Sequence, residues 1–180
     1  MSGDVARPAA PSVRVATEAD AAALLAIYTP FVTDTAVSFE TEPPSVAEFT
    51  ARLRECLARW AWLVAECDGV IAGYAYGGSH RARAAYRWSV ETSAYLDPRF
   101  QRRGIGTALY RALLDALTAQ GYCNAYAGAT LPNDASVALH RRVGFEPIGV
   151  FRRVGYKFGR WHDVAWMQCS LREAPDNASS

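Results

Sequence analysis

Ser89-Val90-Glu91-Thr92-Ser93-Ala94-Tyr95-Leu96-Asp97-Pro98-Arg99-Phe100-Gln101-Arg102-Arg103-Gly104-Ile105-Gly106-Thr107, continuing to Gly121, sets a strand, a glycine loop and a helix in immediate succession. The strand-like run ends at Asp97-Pro98. Beyond the loop, Ile105, Leu109, Leu113 and Leu117 recur every four residues, with Ala108, Ala112 and Ala116 beside them. That spacing predicts a helix with one apolar face, and Gly121 stands where a C-terminal glycine stop is expected. Glycines at the opening of a helix let the backbone close on an anion, and the helix's free N–H groups and dipole favour a phosphate there. The loop Gln101, Arg102, Arg103, Gly104, Ile105, Gly106 and Thr107 is therefore a candidate pyrophosphate site. It lacks the Gly-Lys-Ser/Thr of a P-loop and the third glycine of a dinucleotide fingerprint. The bland alternative is a surface loop with arginines ahead of a helix.

The rest of the chain limits what such a site can serve. Its 180 residues suit one domain with a real core, expected over 13–171 between tails at 1–12 and 172–180. Hydrophobic residues make up 51% and charged residues 21%, the balance of a soluble globular protein. A net charge of +1, with arginines not gathered into one block, gives no field for a nucleic acid. No apolar run approaches the roughly 20 residues that cross a bilayer, and the N-terminus lacks a secretory pattern. Cys56, Cys67, Cys123 and Cys169 are scattered, with no Cys-x-x-Cys and no His at ligand spacing. Free thiols in a cytoplasmic protein without a metal are expected.

Before the glycine loop, Val13–Ala16 alternates as a first strand, and Thr17 caps a helix running through Leu24, Leu25 and Tyr28 toward Pro30. A loop from Asp34 to Pro44 carries Phe39 and Glu40. Ser45 and Glu48 form a capping-box pattern ahead of Phe49, Leu53 and Leu57. Ala61–Glu66 and Val70–Gly77 read as strands joined at Asp68-Gly69, a hairpin signal. Gly78–Ala85 reads as a loop, and Tyr86–Leu96 as a long strand. After the anion-site helix come a strand at Cys123–Thr130 and a short helix capped by Asn133 or Asp134 and stopped at Gly144. Two strands, near Ile148–Tyr156 and Trp161–Leu171, turn at Phe158-Gly159-Arg160. Strand 86–96, helix 105–120 and strand 123–130 form a βαβ unit, so those two strands should be parallel.

The run Gln101-Arg102-Arg103-Gly104-Ile105-Gly106 resembles the acyl-CoA signature of the GNAT N-acetyltransferases, and the element order resembles the GNAT fold across residues 13–171. Three further stretches, Val90–Tyr95, Leu131–His140 and Gly155–Val164, resemble the phosphinothricin and methionine sulfoximine acetyltransferases within that superfamily. The resemblance implies an α/β (α+β) fold with a central mixed sheet of about seven strands and four helices, its parallel fourth and fifth strands splayed around CoA. It implies acetyl-CoA as cosubstrate, a small amino-acid-like amine as acceptor, and a homodimer in which the aromatic hairpin from Tyr156 to Val164 takes part.

Site roles follow from the same resemblance, residue by residue. Glu91, a carboxylate in a mostly apolar strand, would be the general base. The chemistry needs one, because an α-ammonium must lose a proton before its nitrogen attacks a thioester. The structural alternative for Glu91 is a buried ion pair with Arg87 or Arg81. His140 stands where many GNAT enzymes have a tyrosine that protonates the departing thiolate. It would contact the acetyl or sulfur end or order a water, and the alternative is a helix histidine bonded to a backbone carbonyl. Backbone groups of Ser93, Ala94 and Tyr95 would hold the acetyl carbonyl, with the N–H of Tyr95 foremost. Asn133 and Ser136 would meet the pantetheine arm. Phe39, Ser79, His80, Arg81, Ser89, Val90 and Glu91 would form the acceptor site, since a guanidinium fork suits an acidic ligand. Competing readings keep the fold for another small amine or a protein N-terminus, or make the chain a non-catalytic acetyl-CoA-binding sensor.

Overall fold

The computed structural model describes residues 11–173, so the expected tails fall largely outside the described residues. The described chain runs β1 (Ser12–Val15), α1 (Ala21–Thr33), α2 (Val46–Leu57), β2 (Trp62–Cys67), β3 (Val70–Ser79) and β4 (Ser89–Leu96). It continues through α3 (Ile105–Ala119), β5 (Asn124–Thr130), α4 (Asp134–Arg142), β6 (Glu146–Lys157) and β7 (Arg160–Ser170). The strands make one sheet in the order β1-β2-β3-β4-β5-β7-β6, with β4 and β5 parallel and every other pair antiparallel. This is the mixed sheet and helix complement expected from the sequence.

Local chemistry accounts for the punctuation. Ser45 Oγ accepts from the Glu48 N–H at 3.2 Å while the Glu48 carboxylate accepts from the Ser45 N–H at 2.7 Å, the reciprocal capping box that opens α2. Asp68 and Gly69 (φ 51° and 77°) turn β2 into β3, and Phe158 and Gly159 (φ 51° and 73°) repeat that geometry between β6 and β7. The Asp97 side chain accepts from the Arg99 N–H at 2.9 Å, closing β4 with a short turn over Pro98–Phe100.

The structure moves several expected boundaries. Thr17 caps a 3-10 turn, Glu18–Asp20, and α1 starts only at Ala21. Pro30 lies inside α1, because a proline one turn from a C-terminus removes a single ladder bond and its own carbonyl still accepts from the Asp34 N–H at 3.0 Å. Tyr86 belongs to a 3-10 turn, Ala84–Tyr86, so β4 begins at Ser89, while β3 extends to take in Gly78 and Ser79. Ser12 opens β1 where a tail residue was expected.

Each face of the sheet carries its own core. Ile105, Leu109, Leu113 and Leu117 of α3 pack with Val90, Ala125, Ala127 and Met167 on one side. On the other, Leu24 and Val32 of α1 and Phe49 and Leu53 of α2 enclose Trp62, Val64 and Tyr74. Each buried Leu, Ile, Val, Phe or Met among them contributes about 1.5–3 kcal/mol on burial. The four cysteines are free thiols.

One polar staple joins the far hairpin to the loop that follows α1. The buried Lys157 Nζ donates to Val32 O and Ser38 O, both at 2.6 Å, fastening the end of β6 to the C-terminus of α1 and to the residue before Phe39. Burial lowers the lysine's pKa, and Glu40 opposes that fall. A Cβ on Gly155 would collide with the Phe39 ring, so this glycine and the staple fix the same loop. Lys157→Met keeps most of the volume but strands two carbonyls, a loss of about 2 kcal/mol. Thermal unfolding followed by circular dichroism should show a melting temperature lower by roughly 4–8 °C.

Candidate active site

A cleft of about 460 Å³ opens where β4 and β5 part. Their parallel ladder runs from the Ser89–Asn124 pair to the Glu91–Tyr126 pair and stops. Beyond it, β4 stays paired to β3 through Leu96 and β5 stays paired to β7 through Thr130. Thr92 Oγ1 donates to Tyr126 O at 3.2 Å at the point of divergence. The facing edges of the two strands then line the cleft, with Thr92–Leu96 on one side and Gly128–Thr130 on the other.

The direction of each amide follows from two hydrogen bonds. The Cys123 N–H donates to Trp88 O at 2.8 Å, so Trp88 presents its backbone groups toward β5. The Asp97 N–H donates to Ala72 O at 3.0 Å, so Asp97 presents its own toward β3. Because backbone groups alternate along a strand, Thr92, Ala94 and Leu96 aim theirs into the cleft. The Tyr95 N–H therefore points to β3, which corrects the expectation that it grips an acyl oxygen. Ala94 and Leu96 supply the cleft-facing donors. The Tyr95 ring packs edge-on against Tyr28, with centroids 4.9 Å apart.

At the other end of the cleft stands the N-terminus of α3. Its ladder begins with the Ala108 N–H on Gly104 O at 3.0 Å, leaving the amides of Ile105, Gly106 and Thr107 ahead of the first bond. Gly104 is left-handed (φ 79°), and an added Cβ there would meet nothing within 4 Å. The backbone is thus open at Gly104, and the free amides beside it suit an anion. Gly106 has a different reason: a Cβ would sit 3.0 Å from both Leu139 and Leu96, so it lets α3 approach its neighbours.

Of the residues expected to hold the acyl donor, Ser93, Ala94, Tyr95, Gln101, Arg102, Gly104, Ile105, Gly106, Thr107, Asn133 and Ser136 line this one cleft. Arg103 does not; its guanidinium stacks over Phe100 at 5.4 Å. Asn133 Oδ1 accepts from the Ser136 N–H at 3.1 Å, confirming it as the N-cap of α4.

His140 is buried in the cleft wall. Nδ1 lies 2.7 Å from Ser136 O, and a carbonyl only accepts, so Nδ1 carries the hydrogen. Nε2 lies 2.7 Å from the Tyr110 hydroxyl. Burial lowers the pKa of this ring and the Ser136 carbonyl raises it in part, so the neutral form, accepting at Nε2 from Tyr110, prevails at neutral pH. Both nitrogens are engaged, as in the structural alternative for this residue, and Tyr110 and His140 both line the cleft. Tyr110 was not foreseen: on α3 it reads as one more core residue, and burial raises its pKa so that it stays a phenol.

Glu91 is the last β4 residue in the parallel ladder and half-buried; it is not itself among the residues lining the cleft, which begin on β4 at Thr92. Burial raises its carboxyl pKa, and Arg81 opposes the rise. Its titratable neighbour within 4 Å is His80, with Nδ1 3.7 Å from Oε2, and Arg81 acts on it from farther away. Of the other expected acceptor residues, Ser79 is exposed at the end of β3, Arg81 is exposed in the loop before β4, Ser89 is half-buried, and Phe39 sits across from His162. Val90 departs from expectation, because its side chain is packed into the α3 core and only its backbone can face an acceptor. No metal-holding group of His, Cys, Asp or Glu exists among the described residues.

Comparison with known proteins agrees with this geometry. Residues 13–166 match the acetyltransferase (GNAT) domain family. The chain is 44% identical to a phosphinothricin N-acetyltransferase of Streptomyces viridochromogenes, over 87% of this chain and 85% of that one. It is 38% identical to an L-methionine sulfoximine/L-methionine sulfone acetyltransferase of Pseudomonas paraeruginosa, over 91% and 98%. A phosphinothricin acetyltransferase of Sinorhizobium meliloti, solved in complex with acetyl-CoA, superposes with a TM-score of 0.86 at 34% identity, covering 93% of this chain and 94% of that one. A cleft with helix-terminal amides, a bare glycine and splayed parallel strands, together with these similarities, makes the chain a member of the GNAT family and an acetyl-CoA-dependent acetyltransferase.

Proposed function

We propose that the chain moves the acetyl group of acetyl-CoA to the α-amino group of a small amino acid such as phosphinothricin or methionine sulfoximine, by direct attack in a ternary complex. The observation that carries this reading is Glu91 as the last residue of the β4–β5 ladder, one position before the Thr92–Leu96 segment that lines the cleft. The named relatives, acting on phosphinothricin and on methionine sulfoximine, supply the acceptor class. Acetyl-CoA would supply an activated acyl thioester. Within the chain, the amides ahead of α3 hold the pyrophosphate, with Gln101, Arg102 and Thr107 around it. Asn133 and Ser136 meet the pantetheine arm, and Ala94 and Leu96 donate to the acyl oxygen. Glu91 takes the proton of the ammonium, directly or through a water. His140 acts through Tyr110, holding the phenol in place beside the sulfur end. Arg81 holds the acidic end of the acceptor, with Phe39, Ser79, His80 and the backbone of Ser89 and Val90 forming its walls. The four free thiols suit a cytoplasmic setting.

The same reading includes a two-fold homodimer. β6 is a sheet edge, and Ile148, Val150, Phe151, Val154, Tyr156, Phe158 and Trp161 lie exposed along it and its hairpin. So many large apolar side chains on one edge call for a partner, and a second copy is the commonest one.

Four measurements test the proposal. Glu91→Gln should keep acetyl-CoA affinity by calorimetry while turnover on phosphinothricin, read by thiol release, drops about 10²–10⁴-fold. The wild-type rate should fall as the pH drops through a Glu91 pKa held above the ordinary ~4.3, since only the ionised carboxylate accepts a proton; the Gln variant should lack that limb. Gly104→Val should weaken acetyl-CoA binding at least tenfold, because its side chain would enter the pyrophosphate space and it disfavours φ 79°. Unchanged affinity in a folded variant would reject the phosphate site. Light scattering at micromolar concentration should return twice the 19.6 kDa chain mass; a monomer would remove the dimer.

A further inference from the structure

His80 is held more tightly than a wall of an acceptor site requires. Its ring lies flat on Tyr126, with centroids 4.3 Å apart and planes inclined by 14°. Tyr86 and Trp166 meet it edge-on, at 5.9 and 6.3 Å. Elements on three sides therefore fix the ring plane. Within that clamp Nδ1 is buried and has no hydrogen-bond partner. Burying a polar nitrogen unpaired is unfavourable, and the clamped ring cannot turn it out to water. What Nδ1 faces is Glu91 Oε2, 3.7 Å away, beyond hydrogen-bond reach but within one small side-chain adjustment of it.

We propose that His80 is the positioning residue for Glu91: its Nδ1–H closes on Oε2 when the acceptor amine enters, orienting the carboxylate and favouring its ionised form. This rests on the reading of Glu91 as the base. The tautomer follows from the neighbour, since a carboxylate facing Nδ1 favours the hydrogen there. The titratable and charged groups around the pair are Glu91 on β4, Arg81 beside His80, Tyr126 on β5 and Tyr86 in the turn, while Trp166 on β7 is uncharged. Burial and Arg81 both lower the His80 pKa, so the ring is a neutral donor at neutral pH. Burial raises the Glu91 pKa, and a donor at Oε2 opposes that rise alongside Arg81. Removing the donor should thus move the acidic limb of the rate profile upward.

The test compares His80→Phe, His80→Asn and His80→Gln with Glu91→Gln, using acetyl-CoA and phosphinothricin in full pH profiles. Phe keeps an aromatic stack on Tyr126 and deletes the donor. Asn places an amide N–H near the position of Nδ1, and Gln carries it beyond. His80→Phe and His80→Gln should lose roughly tenfold in kcat and shift the acidic limb up by about one pH unit, with the KM for acetyl-CoA unchanged. His80→Asn should recover most of both. A wild-type kcat and limb in His80→Phe would overturn the proposal, as would a raised acceptor KM with an unmoved limb, which would make His80 a direct acceptor contact. Should the Phe variant fail to fold, Asn and Gln variants with the same limb would overturn it equally. Near-wild-type turnover in Glu91→Gln is a separate outcome, since it removes the base and with it the reason for a positioning residue.

Discussion

The parallel ladder between β4 and β5 stops at Glu91–Tyr126, and the candidate site depends on that short pairing. Each strand is committed to an outer neighbour, β4 to β3 as far as Leu96 and β5 to β7 as far as Thr130, so they diverge without leaving the sheet. Divergence exposes inward-facing backbone donors and acceptors of Thr92, Ala94 and Leu96. Buried backbone groups are almost always paired, so a gap of this kind is completed by water or by a ligand that itself offers amides and carbonyls. An extended pantetheine arm has that chemistry. The cleft thus stands where a strand of the sheet is missing, with a helix N-terminus at one end whose free amides suit a phosphate.

Strand alternation then divides the work. In β4 the backbone of the even-numbered residues faces the cleft, while the side chains of Glu91, Ser93 and Tyr95 share the sheet face covered by α1 and α2. Val90 and its neighbours on the opposite face belong to the α3 core. A shift of one residue would bury the carboxylate against leucines and turn Val90 toward the acceptor, so the register that packs α3 also aims Glu91. Lys157 reaches the same region from the far hairpin by fastening the Phe39 loop through two carbonyls. The Phe39 loop is therefore braced by contacts distant in sequence.

That distance explains what could be read from the chain and what could not. The α3 helix, its glycine opening, the Ser45 capping box and the Asp68-Gly69 hairpin are each written in a few adjacent residues, and each was legible. The βαβ unit followed from handedness and order. The start of β4 was misplaced because Tyr86 and Trp88 look like strand residues, whereas a local 3-10 turn holds the Tyr86 and Arg87 amides. The direction of the Tyr95 amide was not legible, since it depends on which neighbour each edge of β4 meets. Tyr110 and Lys157 were missed for the same reason, one hidden in an apolar helical stripe and the other in an aromatic hairpin.

The two histidines beside the site show how satisfaction separates framework from function. His140 has each nitrogen bonded at 2.7 Å, to a carbonyl on its own helix and to a buried phenol. A fully connected buried network of this kind is rigid, and it holds its members in one tautomer. His80 is as firmly clamped by rings yet has a buried nitrogen without a partner, facing a carboxylate just out of reach. Native proteins seldom leave such a group unpaired without a reason. Loss of the His140 bonds would disturb α4 and the cleft wall in every state of the enzyme. In the mechanism we propose, the His80 contact is left to form, so its contribution is felt when the acceptor arrives and the Glu91 carboxylate must be held to receive a proton.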